Sequence, residues 1–299
     1  MSAYERAARC ASNLRKRHCG GARWCSGQAK NLCFIMPAGA RLLLAQAGRG
    51  DAPSTGSASR RRSTTADIAF EKGDRGITMG TFIGIDGFRF GWVACYFDEN
   101  GNQSFDYSGR LERLIAGPYV RAMIDIPIGL PDHGYRQCDV EAQQYVRARV
   151  FTGARWGVWD FESYEDANRH YRANGEKGIS KQLWGLRDKL QEVNETMALA
   201  RQVCLQETHP ELVFMRLAGC VLANKKTEFG RNQRIDLLKK HGVRKIETWL
   251  NQRYGTGIAG DDLIDACACA LAARDTVGHL PFHGVAPKDE RGIQMEIWY

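Results

Sequence analysis

Two short apolar runs that each end on an aspartate constrain this chain more than any other feature. Residues 82–85 run into Asp86, and residues 122–124 run into Asp125. Runs of that length, rich in large and β-branched side chains and closed by glycine or proline, read as buried strands. A carboxylate at such a point sits at the rim of a sheet, rigidly held and partly desolvated. That suits a hard divalent cation, which prefers oxygen ligands.

The neighbouring sequence predicts the rest of the sheet. After the glycine-containing turn at 87–91, strands are expected at 92–97 and 103–107, joined by a turn at 99–101, so the domain opens with three antiparallel strands. Residues 122–126 and 203–207 supply further strands, and a short one at 294–298 is expected to close the edge. Helical patterns fall at 111–116, 136–149, 163–173 and 180–193, then at 211–217, 232–240, 246–254 and from Asp261 onward. Ser163 and Asp166 stand at capping-box spacing. The helices between 136 and 193 read as an insertion. The fold class is α/β, a mixed sheet flanked by helices.

The third acidic element is DDLIDACACAL. Asp262 and Asp265, three apart, share one helical face with Asp261 beside them, while Leu263, Ile264, Ala268 and Leu271 can face the core. Taken singly, Asp86 can favour a turn, and Asp261 or Asp262 can cap a helix. For Asp265 a functional role ranks above a structural one, because it lies inside an apolar helix where an unpartnered acid is costly. Convergent carboxylates need compensation, and metal is the simplest: two ions about 4 Å apart can activate water on one side of a phosphodiester and stabilise the leaving oxygen on the other.

Charge is unevenly spread. Of 42 Lys+Arg and 34 Asp+Glu, residues 1–78 hold 14 and 5, leaving 28 and 29 for residues 79–299. The second part is nearly neutral, against a high-affinity duplex binder, whose footprint is a basic surface. Residues 1–78, with Arg60, Arg61 and Arg62 in a Ser/Gly/Ala-rich run, are expected to be largely disordered. They read as a basic nucleic-acid-binding arm, a transit peptide, or a tail left by a start codon assigned upstream of Met79, the last being favoured. Ten cysteines without a repeated C-x-x-C spacing read as reduced thiols, which points to a cytoplasmic protein. No apolar run is long enough to span a bilayer.

The set GIDGFRFGW, MIDIPIGLP, Arg136 with Cys138 and Asp139, KGISKQLW, ETHPEL, NKKTEFG and DDLIDACACAL, ending in IWY, resembles a family of uncharacterised bacterial proteins described as predicted RNase H-like nucleases (domain of unknown function 429). The resemblance runs from Thr81 to Tyr299. It implies an RNase H-like sheet, three antiparallel strands followed by parallel ones, and a metal-dependent nuclease using two Mg2+ or Mn2+ ions. The pattern is also similar to the Holliday-junction resolvases, where acids end the first strand, follow the fourth and lie three apart on the last helix. By that likeness Asp86, Asp125, Asp262 and Asp265 are the metal ligands. The resolvases generally carry a glutamate where this chain has Asp125, so the carboxylate reaches about one methylene less far.

ETHPEL supplies Glu207, His209 and Glu211. Either glutamate can be a further ligand or orient water, and His209 can shuttle a proton. Equally, Glu211 after Pro210 suits a helix start, and His209 can hydrogen-bond a loop. Among basic residues in or beside glycine-containing loops (Lys177, Lys181, Lys225, Lys226, Arg231), Lys225 and Lys226 are the first candidates for phosphates, with Lys177, Ser180 and Gln182 behind them. Trp156, Trp159 and Trp184 can stack on bases but more readily pack. Two other functions compete with the nuclease: a non-catalytic binding or scaffold protein of the same fold, and an actin-like or sugar-kinase phosphotransferase. The latter lacks here the duplicated domain and further glycine-rich loops it needs. Nucleic acid is the expected partner, of a type and in an oligomeric state that the sequence leaves open.

Overall fold

A computed structural model describes residues 80–299 apart from Ala198 and His283. The expectations for residues 1–78 lie outside the described residues. The domain is mixed α/β, built on a five-stranded sheet of order β3-β2-β1-β4-β5. Strands β1 (Phe82–Phe88), β2 (Gly91–Phe97) and β3 (Gln103–Ser108) form the antiparallel meander. Strands β4 (Arg121–Ile124) and β5 (Leu205–Glu207) add to it in parallel, β4 against β1 and β5 against β4.

Strand alternation divides the core in two. Ile83, Ile85, Trp92, Ala94, Tyr96, Ala122, Ile124 and Leu205 point to one face. There they meet Leu183 of α3 (Lys181–Gly185) and Leu190 and Val193 of α4 (Arg187–Thr196). Val93, Cys95, Phe97 and Met123 point to the other face, toward the C-terminal helix. With both faces covered, the central strands carry apolar residues at nearly every position.

Three further helices lie between β4 and β5: α1 (Gln137–Val146), α2 (Tyr164–Ala173) and the short α5 (Leu199–Gln202). After β5 come α6 (Pro210–Ala218), α7 (Glu228–Lys240), α8 (Ile246–Gln252) and α9 (Gly260–Asp275). Helix α9 is apolar all round from Ala266 to Ala273, and its alanines and cysteines are fully buried, as befits a helix enclosed by protein. Its small side chains let its backbone lie directly on β1. A Cβ on Gly84 would fall 1.9 Å from the Ala270 nitrogen and 2.2 Å from the Ala266 oxygen.

Four local outcomes differ from the sequence reading. The helix expected over 180–193 is two, broken at Leu186 after Gly185, where a glycine costs roughly 1 kcal/mol in a helix interior. The helix expected over 136–149 stops at Val146, where Arg147 takes φ +57°, and ends in a 3-10 turn at Arg147–Arg149. Residues 111–116 yield only the 3-10 turn Leu111–Arg113. The terminal strand shrinks to β7 (Ile297–Trp298), paired with β6 (His279–Leu280) in a separate ribbon that meets the end of β5 through a bridge and a side-chain hydrogen bond from Thr208 to Trp298. Gln294 is instead held by the Gln202 side chain, which bonds both its carbonyl and its N–H.

Candidate metal centre

Asp86, Asp125 and Asp265 converge. They offer carboxylate oxygens that all lie within 4.8 Å of one another. Each is placed by a different element. Asp86 shares the β1 face of Gly84, turned toward α9, and its Oδ1 accepts the Gly87 N–H at 2.7 Å. Asp125 extends the parallel ladder just past β4, its N–H donating to the Ile85 carbonyl at 3.0 Å. Asp265 lies in the second turn of α9, and the close approach permitted by Gly84 brings that turn down onto β1.

The three acids are poorly compensated by protein alone. Asp265 is 2% exposed. Its Oδ2 accepts from Lys225 Nζ at 2.5 Å, while its buried Oδ1 has no hydrogen-bond partner among the described residues. Burial, followed by repulsion from Asp125, Asp265 and Asp262, pushes the Asp86 carboxyl well above its ordinary range. Burial also raises Asp125, partly offset by His209 and Lys225, and raises Asp265 to about 6 against the pull of Lys225. Burial opposes the charge on Lys225, yet Asp265, with Asp86 and Asp125, holds its pKa above the usual value. A buried oxygen without a donor, in a nest of carboxylates with raised pKa values, has the chemistry of a divalent-cation site.

The other expected site residues are placed as follows. Asp262 is outside the converging trio: its Oδ2 accepts the Ala259 N–H at 2.9 Å, closing the N-terminus of α9, although its charge is felt by Asp86. Asp261 pairs with Lys226 at 2.7 Å. Glu207 shares its sheet face with Ile124, opposite to that of Asp125. Its carboxylate is held by both arms of Arg136, at 2.6 and 2.7 Å, and by the Ile128 N–H, while Arg136 also pairs with buried Asp139. Both ring nitrogens of His209 are engaged: Nδ1 accepts the Glu211 N–H, capping α6, and Nε2 faces the Arg149 carbonyl at 3.2 Å. Glu211 is gripped by Arg234 and Arg149.

Of the candidate phosphate ligands, Lys225 alone contacts the acid trio, and Lys226 stands next to it on Asp261. The 177–182 segment goes elsewhere. Ser180 caps α3 through the Leu183 N–H, the Lys177 carbonyl accepts from Arg155, and Lys177 and Gln182 are exposed. Trp156 packs edge-on against Trp159, and Trp184 against Tyr164.

Two cations went unnoticed in the sequence. Lys189 of α4 lies over the Trp92 ring at 5.1 Å and against Gly87, where an added Cβ would be 2.7 Å from its Cε. Burial lowers its pKa, and Glu192 and Asp86 oppose that. Arg253, beside Arg231, brings a guanidinium nitrogen 3.4 Å from a Cβ built on Gly260, at the head of α9. Neither has a sequence signal, since a lysine in an amphipathic helix and an arginine at a helix end read as solvated.

A mixed α/β domain carrying a buried carboxylate trio that can hold a metal ion is the class that fold and site define. The chain belongs to the family described as "Protein of unknown function (DUF429)", whose model matches residues 84–288 and so contains the whole trio and Lys225. Comparison with curated proteins and with solved structures found no match. Among the described residues no helix is long and apolar enough to cross a membrane, and the six described cysteines are free thiols.

Proposed function

We propose that this domain is a metal-dependent nuclease of the RNase H-like kind, hydrolysing phosphodiester bonds with Mg2+ or Mn2+ held by Asp86, Asp125 and Asp265. The observation that carries the reading is the convergence of the three carboxylates, with Asp265 Oδ1 buried and without a hydrogen-bond partner among the described residues. The sheet order β3-β2-β1-β4-β5, with one acid in the C-terminal half of β1, one just after β4 and one on the last long helix, supports the RNase H-like assignment.

A bound divalent ion supplies an acidified water and stabilises charge on phosphoryl oxygens. The chain's own residues do the rest. The trio fixes where the scissile phosphate must come, and Asp262, which caps α9, adds its charge from the same helix. Lys225, Lys226, Arg231 and Arg253 surround the N-terminus of α9, where helix dipole and cations together favour a phosphate. These local cations supply what the near-neutral domain lacks overall.

The test is cleavage of labelled single-stranded, duplex, branched and RNA:DNA substrates by the full chain in Mg2+, Mn2+ or EDTA, beside Asp86→Asn and Asp265→Asn. Metal-dependent cleavage lost in both variants is the expected result and identifies the substrate. Absence of both cleavage and metal binding would transfer the assignment to a non-catalytic binding protein.

A further inference from the structure

We propose that Lys225 is a tethered cation filling one of two cation positions in the acid cluster, so that the substrate-free protein takes a single divalent ion, and that Glu211 sets this lysine through Arg149 and Arg234. The inference rests on the metal-site reading above and adds to it a stoichiometry and a positioning network.

The network is continuous. Glu211 is 5% exposed, and its oxygens are saturated by arginine. Oε1 accepts from Arg234 Nε at 3.0 Å and Nη2 at 2.7 Å, and Oε2 from Arg234 Nη2 at 2.8 Å and from Arg149 Nη1. No oxygen is left for a metal. Each arginine spends another nitrogen on the main chain just before Lys225: Arg149 on the Leu222 carbonyl and Arg234 on the Ala223 carbonyl, both at 3.0 Å. Beyond the lysine, Thr227, which caps α7, donates its N–H and its hydroxyl back across Lys225 to the Asn224 carbonyl. Gly230 lets that turn pack closely, because a Cβ there would meet the Asn224 oxygen at 2.2 Å. The segment carrying Lys225 is therefore fixed on both sides, and its ammonium is delivered to Asp265 Oδ2.

Charge then decides the occupancy. The ionised trio carries three negative charges and Lys225 returns one, leaving two, which one divalent ion neutralises. A second ion would leave two uncompensated positive charges in a largely buried site, which is unfavourable until a phosphodiester brings negative charge. The Lys225 side chain is 35% exposed, so the lysine is not sealed inside the core as Asp265 is.

Mn2+ titration of the full chain, read by calorimetry and by the resonance signal of free Mn2+, tests this with wild type, Lys225→Met, Glu211→Gln and Arg149→Met. Wild type is expected to saturate at one ion per chain and Lys225→Met at two. Arg149→Met, which leaves the buried Arg234–Glu211 pair intact, and Glu211→Gln should each let in a fraction of the second ion. A purely structural role for the network would lower the melting temperature and weaken binding without raising the ion count. Two ions in wild type, or one in Lys225→Met at unchanged or weaker affinity, would overturn the proposal. Failure of wild type to bind any Mn2+ saturably would instead remove the metal reading on which it rests.

Discussion

Replacing Gly84 by alanine tests the step from sequence to site most severely. The added Cβ would stand 1.9 Å from the Ala270 nitrogen and 2.2 Å from the Ala266 oxygen, against about 3.4 Å for ordinary contact. Both obstacles are helix backbone, which no rotamer change can remove. Helix α9 must therefore retreat by roughly 1.5 Å, or β1 must bend. Overpacking a well-filled core costs about 1–3 kcal/mol, and with backbone on both sides the upper end applies. For a domain of this size each kcal/mol moves Tm by roughly 2–4 °C, so Gly84→Ala should melt about 6–12 °C below wild type. Because α9 carries Asp265 while β1 carries Asp86, the same shift should widen the trio and weaken Mn2+ binding. Gly185→Ala is the matched control: nothing lies within 4 Å of its added Cβ, so it should melt close to wild type. Melting by circular dichroism reads both. A Gly84→Ala protein within about 2 °C of wild type, or an equal loss in Gly185→Ala, would refute the close approach of α9 to β1.

Asp265, raised from 3.8 to about 6, favours folding most in its protonated form, so its contribution is fully present below about pH 4 and lost as pH rises through 6. At about 1.4 kcal/mol per pH unit the span is on the order of 3 kcal/mol. Urea unfolding in EDTA at pH 5 and pH 8 should show wild type losing more stability with rising pH than Asp265→Asn does, with Mn2+ restoring it at pH 8. Parallel pH profiles for the two proteins would contradict that. Arg136→Met strands buried Asp139 and Glu207 without their counter-ion and should cost about 3–5 kcal/mol in the same assay, with little change in Mn2+ affinity of whatever remains folded, since none of the three belongs to the acid trio.

Much of this was written locally in the chain. The alternation of Ile83 and Ile85 with Gly84 and Asp86 states which face of β1 carries the acid, and the alanine-rich run after Asp265 states that its helix is enclosed. Helix starts at Ser163 and Thr227 follow from side chains that bond the first turn, although only Ser163 carries the acid three residues on that marks a capping box. What escaped was set by contacts distant in sequence. Glu211 lies 23 residues from Arg234 and 62 from Arg149, so nothing near it distinguishes a clamped carboxylate from a free metal ligand. Glu207 likewise meets Arg136 71 residues away. Asp262 was grouped with Asp265 by helical spacing, but its reach back to the Ala259 N–H depends on where α9 begins, and helix ends are weakly marked when the capping residue is alanine. The strand expected from residue 294 starts only at Ile297, because the Gln294 backbone bonds the Gln202 side chain and bridges Lys288, pairings that no strand period reveals.

The central claim is that Asp86, Asp125 and Asp265 form a divalent-cation site, and Mn2+ binding to wild type and to Asp265→Asn, with folding verified by circular dichroism, tests it most directly. Wild type should bind Mn2+ saturably at pH 8, and the variant should bind at least about tenfold more weakly, a loss of about 1.4 kcal/mol or more. Equal binding by the two folded proteins, or no saturable binding by wild type, would contradict the account.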